Sequence, residues 1–400
     1  MDRRISPTLG TLKTSTPLTT ETNSPPTVHP ATETLRPSPT SPPQATQTRS
    51  PTETLLPTTT PTPRPTPISV VELDGALVAP GFSLTLYADG YRPTALTFDE
   101  RGGLFIASTD GKVYRIEDTN ADNRADSGTV FAKGFNTPLG LAYRAETHEL
   151  FVSSLGQVNA FQDTNNDGAS DTNRVVVSGL PTGRHQNDNL KFGPDGWLYM
   201  GLGSTCDACE EVDPRSASIL RIQPDTGEVE VFATGLRNPF DLAFHPLTGD
   251  LLATDNGRDD LGLDAPREEL NHIVQSGDYG WPNCWDALQG PGCDNTITAI
   301  AFFEAHSSAD GLVIYNGQMF PEEYRYNAFV VIFGSWLKQV QTGVMRVILN
   351  PNGDTYTAQT EWLVQFPTGV MPLPITVGPD GAIYVGDYIN GQTYRISYGP

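Results

Sequence analysis

The sequence predicts an all-β chain, a six-bladed β-propeller preceded by a disordered Ser/Thr/Pro-rich stalk. Three observations carry this. Short apolar runs bounded by Gly, Pro, Asp and Asn recur along the later part of the chain, the pattern of strands and tight turns. A unit built from these runs repeats, with marker residues Phe98, Tyr143, Phe192 and Phe244 spaced 45, 49 and 52 residues apart. Residues 1–67 hold 41 Ser, Thr or Pro and no aromatic residue. A repeat of 40 to 50 residues with four strands per unit is that of a propeller, whose blades bury their faces only against their neighbours.

The stalk comes first. Fifteen of the 34 prolines lie within residues 1–67, and such a segment has too little apolar surface to offset the entropy of ordering it. It reads as an extended mucin-like spacer, with or without O-linked sugar. Residues 68–400 then form one propeller domain. The first two strands of a unit appear as ALTFDERGGLFIAS from Ala95, GLAYRAETHELFVSS from Gly140, NLKFGPDGWLYMGLG from Asn189, DLAFHPLTGDLLATD from Asp241 and PITVGPDGAIYVGD from Pro374. Outer strand pairs follow three of them, and the stretch from Gly311 through Val364 supplies a divergent copy. Six units result. Few helices are expected, with one short helical stretch over Pro266–Ile273.

Charge narrows the partners. The stalk has 6 Lys/Arg against 4 Asp/Glu, which leaves 19 against 43 in the folded part, a net of −24. That excludes nucleic acid and anionic membrane as partners and suits calcium sites and an exported protein. No apolar run reaches the roughly 18 residues of a membrane span, so the visible chain does not insert into a bilayer. The four cysteines fall as two close pairs, Cys206/Cys209 and Cys284/Cys293. Two local disulfides fit an extracellular, cell-surface or periplasmic location; a four-thiolate zinc site is the alternative. Met1–Gly10 is polar and carries no signal peptide, so an export signal upstream, or a misassigned start, is expected.

Several clusters carry candidate chemistry. The segment DTNNDGASD spaces Asp163, Asn165, Asp167 and Asp171 as in a calcium loop, with Gly168 at the sharp turn. Asp118, Asn120, Asp122 and Asp126 repeat it one blade earlier. The bidentate Glu of a full loop is absent, and an Asx-rich hairpin turn is the alternative. His185 stands in a Gly/Asn/Asp-rich loop just before a strand, where a neutral imidazole can act as general base. Arg237 and Asn238 close a strand, and a fixed guanidinium there suits a carbonyl or carboxylate ligand, or an inter-blade salt bridge. The loop Asp255–Asp264 offers carbonyls and carboxylates to a cation. GDYGWP, from Gly277 to Pro282, reads as a structural aromatic turn.

The ordered series His…FGPDGWLY, GLRNPFDLAFHP, EELN…GDYGWP, FGSW and GPDGAIYVGD resembles the soluble PQQ-dependent glucose/sorbosone dehydrogenases, six-bladed propeller enzymes that oxidise sugars. The resemblance covers about residues 75–398. It implies His185 as the base that takes a sugar hydroxyl proton while hydride passes to PQQ, with electrons leaving to an external acceptor. It implies Arg237 and Asn238 as quinone contacts, Arg237 as the group that stabilises developing negative charge, and Lys338 as a further PQQ contact. Gly257 and Arg258 fall where the family's backbone carbonyls hold an active-site Ca²⁺, and Glu269 and Tyr279 where the glucose dehydrogenase branch has a second calcium region. The chain departs from the family near the last blade. FPTGVMPLPITV lacks the arginines that pair with PQQ carboxylates, and Arg184, Arg258 or Arg325 are the candidates to replace them. A non-catalytic propeller binding carbohydrate or protein, and a Ca²⁺-dependent lactonase-like hydrolase, are the rival readings, because fold alone does not fix function.

Overall fold

The computed structural model describes residues 70–399; the stalk read over residues 1–67 lies outside them. Six antiparallel sheets form the described chain. Blade I comprises Pro93–Phe98, Leu104–Ser108, Lys112–Glu117 and Ser127–Lys133, and blade II comprises Gly140–Arg144, Glu149–Ser154, Gln157–Gln162 and Thr172–Ser178. Blade III runs through Asn187–Phe192, Leu198–Leu202, Ser218–Ile222 and Val229–Thr234; blade IV through Pro239–Phe244, Leu251–Asp255, Glu268–Ile273 and Ala301–Phe303. Blade V holds Ala309–Ile314, Ala328–Ile332, Gly343–Asn352 and Thr355–Gln365, with Leu77–Val78 on its outer edge. Blade VI takes Pro372–Val377, Ile383–Asp387 and Thr393–Tyr398 from the end of the chain and its outer strand, Phe82–Ala88, from the beginning.

The first strands touch in a closed circle, each against the next and Pro372–Val377 back against Pro93–Phe98. Six apolar clusters fill the six seams between blades, one per seam. Second strands such as Leu104–Ser108 and Leu198–Leu202 are buried along their whole length, because a neighbouring blade covers each face. Fourth strands such as Ser127–Lys133 lie at the rim and are largely exposed. This gradient explains why the second strands read in sequence as continuous apolar runs and the fourth strands barely register.

Blade IV corrects one expectation. The stretch Pro266–Ile273 is no helix; Glu268–Ile273 is the third strand, paired with Leu251–Asp255 on one side and Ala301–Phe303 on the other. The Glu-Glu-Leu start favours helix locally, but two flanking strands claim its backbone hydrogen bonds, and tertiary pairing overrides a weak propensity. A 3-10 turn over Glu322–Tyr324 in blade V was not anticipated.

Candidate active site at the mouth of the ring

Antiparallel order places the start of every first strand and the end of every second strand at the same end of the ring. His185 just precedes Asn187–Phe192, and Arg237–Asn238 just precede Pro239–Phe244. Asn256 and Gly257 follow Leu251–Asp255, and Phe333–Leu337 follow Ala328–Ile332. The inner strands of blades III to VI each shift register after their first residue. Such bulges re-aim side chains at a rim. A cavity of about 260 Å³ opens here, bordered by Arg184, His185, Arg237, Asn238, Asn256 and Gly257 and also by Phe333 and Trp336. Phe240, Phe333 and Leu373 pack together beside it without filling it.

The imidazole is held in one tautomer. His185 Nδ1 lies 2.9 Å from Ser204 Oγ, and Ser204 Oγ donates its own proton to the Cys206 carbonyl at 2.7 Å. The hydroxyl therefore accepts from Nδ1–H, which leaves Nε2 as an unprotonated acceptor. Burial, then the Arg237 and Arg184 guanidinium groups, push the His185 pKa down to about 3. Close packing sets the ring's place: a Cβ on Gly203 would sit 2.4 Å from His185 Cβ and 2.7 Å from Asn238 Oδ1, so only glycine fits.

Arg237 is buried, with 4% of its side chain exposed. Its Nε donates to the Asp207 carbonyl at 3.1 Å, Nη1 to the Asn256 carbonyl at 3.0 Å, and Nη2 to Asp207 Oδ1 at 2.7 Å and Asp259 Oδ2 at 3.0 Å. Four of the five guanidinium N–H groups are thereby used, leaving one on Nη1 for a ligand. Asp255 accepts the backbone N–H groups of Arg237 at 3.1 Å and Asn238 at 2.7 Å; burial raises its carboxyl to about 7. Burial also acts upward on Asp207, but the Asp259 N–H and the Arg237 charge outweigh it and hold that carboxyl low. Asp259 joins Arg184, Arg237 and His306.

The other sequence candidates separate into three places. Gly257, Arg258, Glu269 and Tyr279 surround a second cavity of about 20 Å³, room for one water or ion. Burial, then the Asp255 charge, raises Glu269 to about 8. The Tyr279 hydroxyl is already committed, donating to the His272 carbonyl at 2.5 Å and accepting from Val274 N at 3.0 Å, as the structural reading of GDYGWP requires. The Arg258 guanidinium binds Asp260 and the Pro282 carbonyl, each at 2.6 Å, so only its backbone remains for a cation.

Lys338 stands outside the His185 cavity. It pairs with Glu304 at 3.2 Å and lines an adjoining groove of about 510 Å³ that shares Gly334 and Ser335 with the cavity. Of the three arginines considered as replacements, Arg184 alone borders the His185 cavity; Arg325 pairs with Glu322.

Asp163, Asn165, Asp167 and Asp171 sit in the hairpin between the third and fourth strands of blade II, hence at the opposite end of the ring. Their oxygens accept backbone N–H groups of the loop itself: Asp163 from Asn166 and Gly168, Asn165 from Asp167, Asp167 from Ala169, Asp171 from Thr164. Asp118–Asp126 repeats this web. Among the described residues, the one His/Cys/Asp/Glu group close enough to share a metal is Cys206, Cys209 and Glu211. Its two sulfurs are joined in a disulfide, as are Cys284 and Cys293.

Sequence reasoning missed Ser204 and Asp207; Asn256 and Asp259 fell within the Asp255–Asp264 loop and Trp336 within FGSW, none with a role of its own. Asp207 carried a faint signal, an acid locked between two cysteines. Ser204 reaches His185 through the pairing of two strands of blade III, and Asn256 and Asp259 reach Arg237 through the same relation in blade IV.

An uncharacterised protein of Borreliella burgdorferi is 25% identical over 363 residues, covering 83% of this chain and 93% of that protein. The aldose sugar dehydrogenase YliI of Escherichia coli is 23% identical over 251 residues, 54% of this chain and 61% of that protein. Among solved structures, the calcium structure of the Trichoderma reesei family AA12 enzyme aligns with TM-score 0.71 at 18% identity, covering 82% of this chain and 98% of that one. The holo form of the pyranose dehydrogenase PQQ domain from Coprinopsis cinerea aligns with TM-score 0.69 at 16% identity, covering 82% and 100%. Likeness at these identities is likeness of fold, and at that level the resemblance to PQQ-dependent sugar dehydrogenases holds. The family model described as a domain of unknown function, DUF7133, matches residues 72–392, and the chain belongs to that family.

Proposed function

We propose that this chain oxidises a hydroxyl group of a sugar or polyol, with PQQ and Ca²⁺ at the mouth of the ring and an external electron acceptor. The carrying observation is His185: a half-buried imidazole kept neutral, with Nδ1 bound to Ser204 and Nε2 left free in the cavity it shares with Arg237. His185 Nε2 takes the hydroxyl proton of the substrate as its C–H bond breaks. Arg237 brings a fixed positive charge and one spare N–H to the oxygen that gains charge, and Asn238 beside it contacts the same group. When bound, PQQ would supply the carbonyl that accepts hydride, and a Ca²⁺ held by the Asn256–Arg258 loop would polarise it.

The reacting end fits these groups. Asn256 Oδ1 is buried and has no hydrogen-bond partner among the described residues, and an orphaned amide oxygen suits a hard cation. The Gly257 and Arg258 carbonyls are the candidate ligands there. Glu269 and the backbone of Tyr279 border the second, ion-sized space, and Asp163, Asn165, Asp167 and Asp171 are a peripheral candidate. The carboxylate end fits less well. Arg184 is paired with Asp259 and Lys338 with Glu304, and the wall Phe366–Met371 carries no cation. A tricarboxylate would have to break existing pairs. That favours, as a second reading, a non-catalytic propeller that binds carbohydrate.

The two disulfides and the acidity of the folded part support an extracellular, cell-surface or periplasmic setting, with residues 1–67 as a stalk ahead of the propeller domain of residues 68–400. Calorimetry separates the readings. The dehydrogenase predicts PQQ binding that strengthens with Ca²⁺; binding of glycans with no PQQ binding would replace it with the carbohydrate module.

A further inference from the structure

We propose that His306 is a positioning residue: as an imidazolium it latches the loop of residues 256–267 onto the mouth of the ring and sets Asp259 against Arg184 and Arg237 before any ligand arrives. The proposal deepens the sugar-oxidation reading, because this loop carries the Asn256–Arg258 oxygens. His306 lies in the connection from Ala301–Phe303, the outer strand of blade IV, to Ala309–Ile314, the inner strand of blade V. It borders the His185 cavity with 3% of its side chain exposed. Its backbone is left-handed, with φ 58°, a conformation that a residue with a Cβ adopts at a cost and keeps where its surroundings hold it.

Both ring nitrogens face groups that only accept. Nε2 lies 2.7 Å from the Gly262 carbonyl, so Nε2 carries a proton. Nδ1 lies 3.3 Å from Asp259 Oδ1. A bare lone pair there would face a carboxylate oxygen beside a buried ring; a second proton turns that repulsion into an ion pair. Arg184 and Arg237 take the other oxygen of the same carboxylate, Oδ2, so Asp259 joins three cations. Of the remaining charged groups around His306, Lys338 pairs with Glu304, and burial raises Glu268 and Asp310 towards their neutral forms. The loop has need of a hold. It contains turns but no strand, and Asp260, Gly262, Leu263 and Asp264 are exposed. Glu268 Oε2 accepts the Gly257 N–H at 2.7 Å and ties the two ends of the loop together; His306 reaches its middle, at Asp259 and Gly262. Each fixed point lowers the entropy still to be lost when a ligand binds.

The test uses the full chain without PQQ. Nitrogen NMR of the histidine rings near pH 7, with His306 assigned from His306→Gln, should show protons on both nitrogens of His306, and Asp259→Asn should remove the one on Nδ1. A proton on Nε2 alone in the wild type, or a ring unchanged in Asp259→Asn, would overturn the proposal. Hydrogen exchange of the amides of residues 258–264 should be at least about tenfold faster in His306→Gln, with the strands of the six blades unaffected. Unchanged exchange, or faster exchange spread over all the blades, would overturn it too, the latter by giving His306 a merely structural role. Ca²⁺ titrated alone by calorimetry should bind His306→Gln about tenfold more weakly than the wild type; equal affinity would contradict positioning of the Asn256–Arg258 oxygens. A wild-type chain that binds no Ca²⁺ removes the cation reading of that loop and leaves the ring spectra and the exchange to decide the latch, so the two ideas fail separately.

Discussion

His185 works through what its neighbours leave it. Ser204 fixes the tautomer, and burial followed by two guanidinium groups keeps the ring neutral, so the imidazole is unprotonated at any pH above about 4, given a pKa of about 3. Replacing His185 by Ala should lower reconstituted sugar oxidation about 10²- to 10⁴-fold while PQQ titration shows unchanged binding; weakened binding would instead make the residue a cofactor contact. Removing one positive charge with Arg184→Gln should raise the imidazole pKa, read by NMR titration of the ring; a fall would contradict the electrostatic account. Stability carries the matching sign. The unfolded chain protonates this histidine near the ordinary imidazole value of 6.5 and the folded chain only near 3, so stability is lost as pH falls through that window, and His185→Gln should remove this contribution. His185 and the Arg237–Asn238 pair were legible because turn residues and strand pattern surround them. Ser204 and Asp207 were not, because their partners lie 19 and 30 residues away and the one local mark, the cysteines flanking Asp207, does not point to them.

At the scale of elements, the site is two loops drawn onto one arginine. The Cys206–Cys209 loop brings Asp207, the loop after Leu251–Asp255 brings Asp259, and Arg237 joins them. Arg237→Met should cost about 3 kcal/mol in urea denaturation, since it strands two carboxylates that are only partly exposed; a change under about 0.5 kcal/mol would show that the loops hold without it. Replacing Cys206 and Cys209 together by Ala should reduce oxidation more than it reduces stability, because the Cys206 carbonyl anchors Ser204. A large loss of stability with activity intact would contradict this. Alternating apolar runs made the inner strands legible. Glu268–Ile273 was misread as helix because its burial comes from strands on both sides, which a window of eight residues does not contain.

Over the whole molecule, two features depend on closure. Phe82–Ala88 completes blade VI, and its pairing partner lies some three hundred residues later. The repeat implied a closed ring but not which strand closes it. A chain beginning at residue 90 should lose cooperative thermal unfolding; a sharp transition at the wild-type midpoint would show that the strand is dispensable. Closure also buries acids: Asp310 rises to about 6, Asp255 to about 7, and Glu268 and Glu269 to about 8, burial being the largest cause in each. Their folded pKa values exceed the unfolded ones, so without metal the protein loses stability as pH rises from about 4 to 8. Ca²⁺ should offset this loss, and Glu269→Gln should weaken that rescue; a melting curve insensitive to Ca²⁺ in both proteins would exclude Glu269 as a ligand.

The most direct measurement is dye-linked oxidation of aldoses and polyols by the purified protein, before and after PQQ and Ca²⁺ are added, beside His185→Ala. The proposed chemistry, with His185 as base, predicts activity that appears only on reconstitution and only with the histidine present. No turnover across a broad panel of sugars, or equal turnover in the variant, would contradict it.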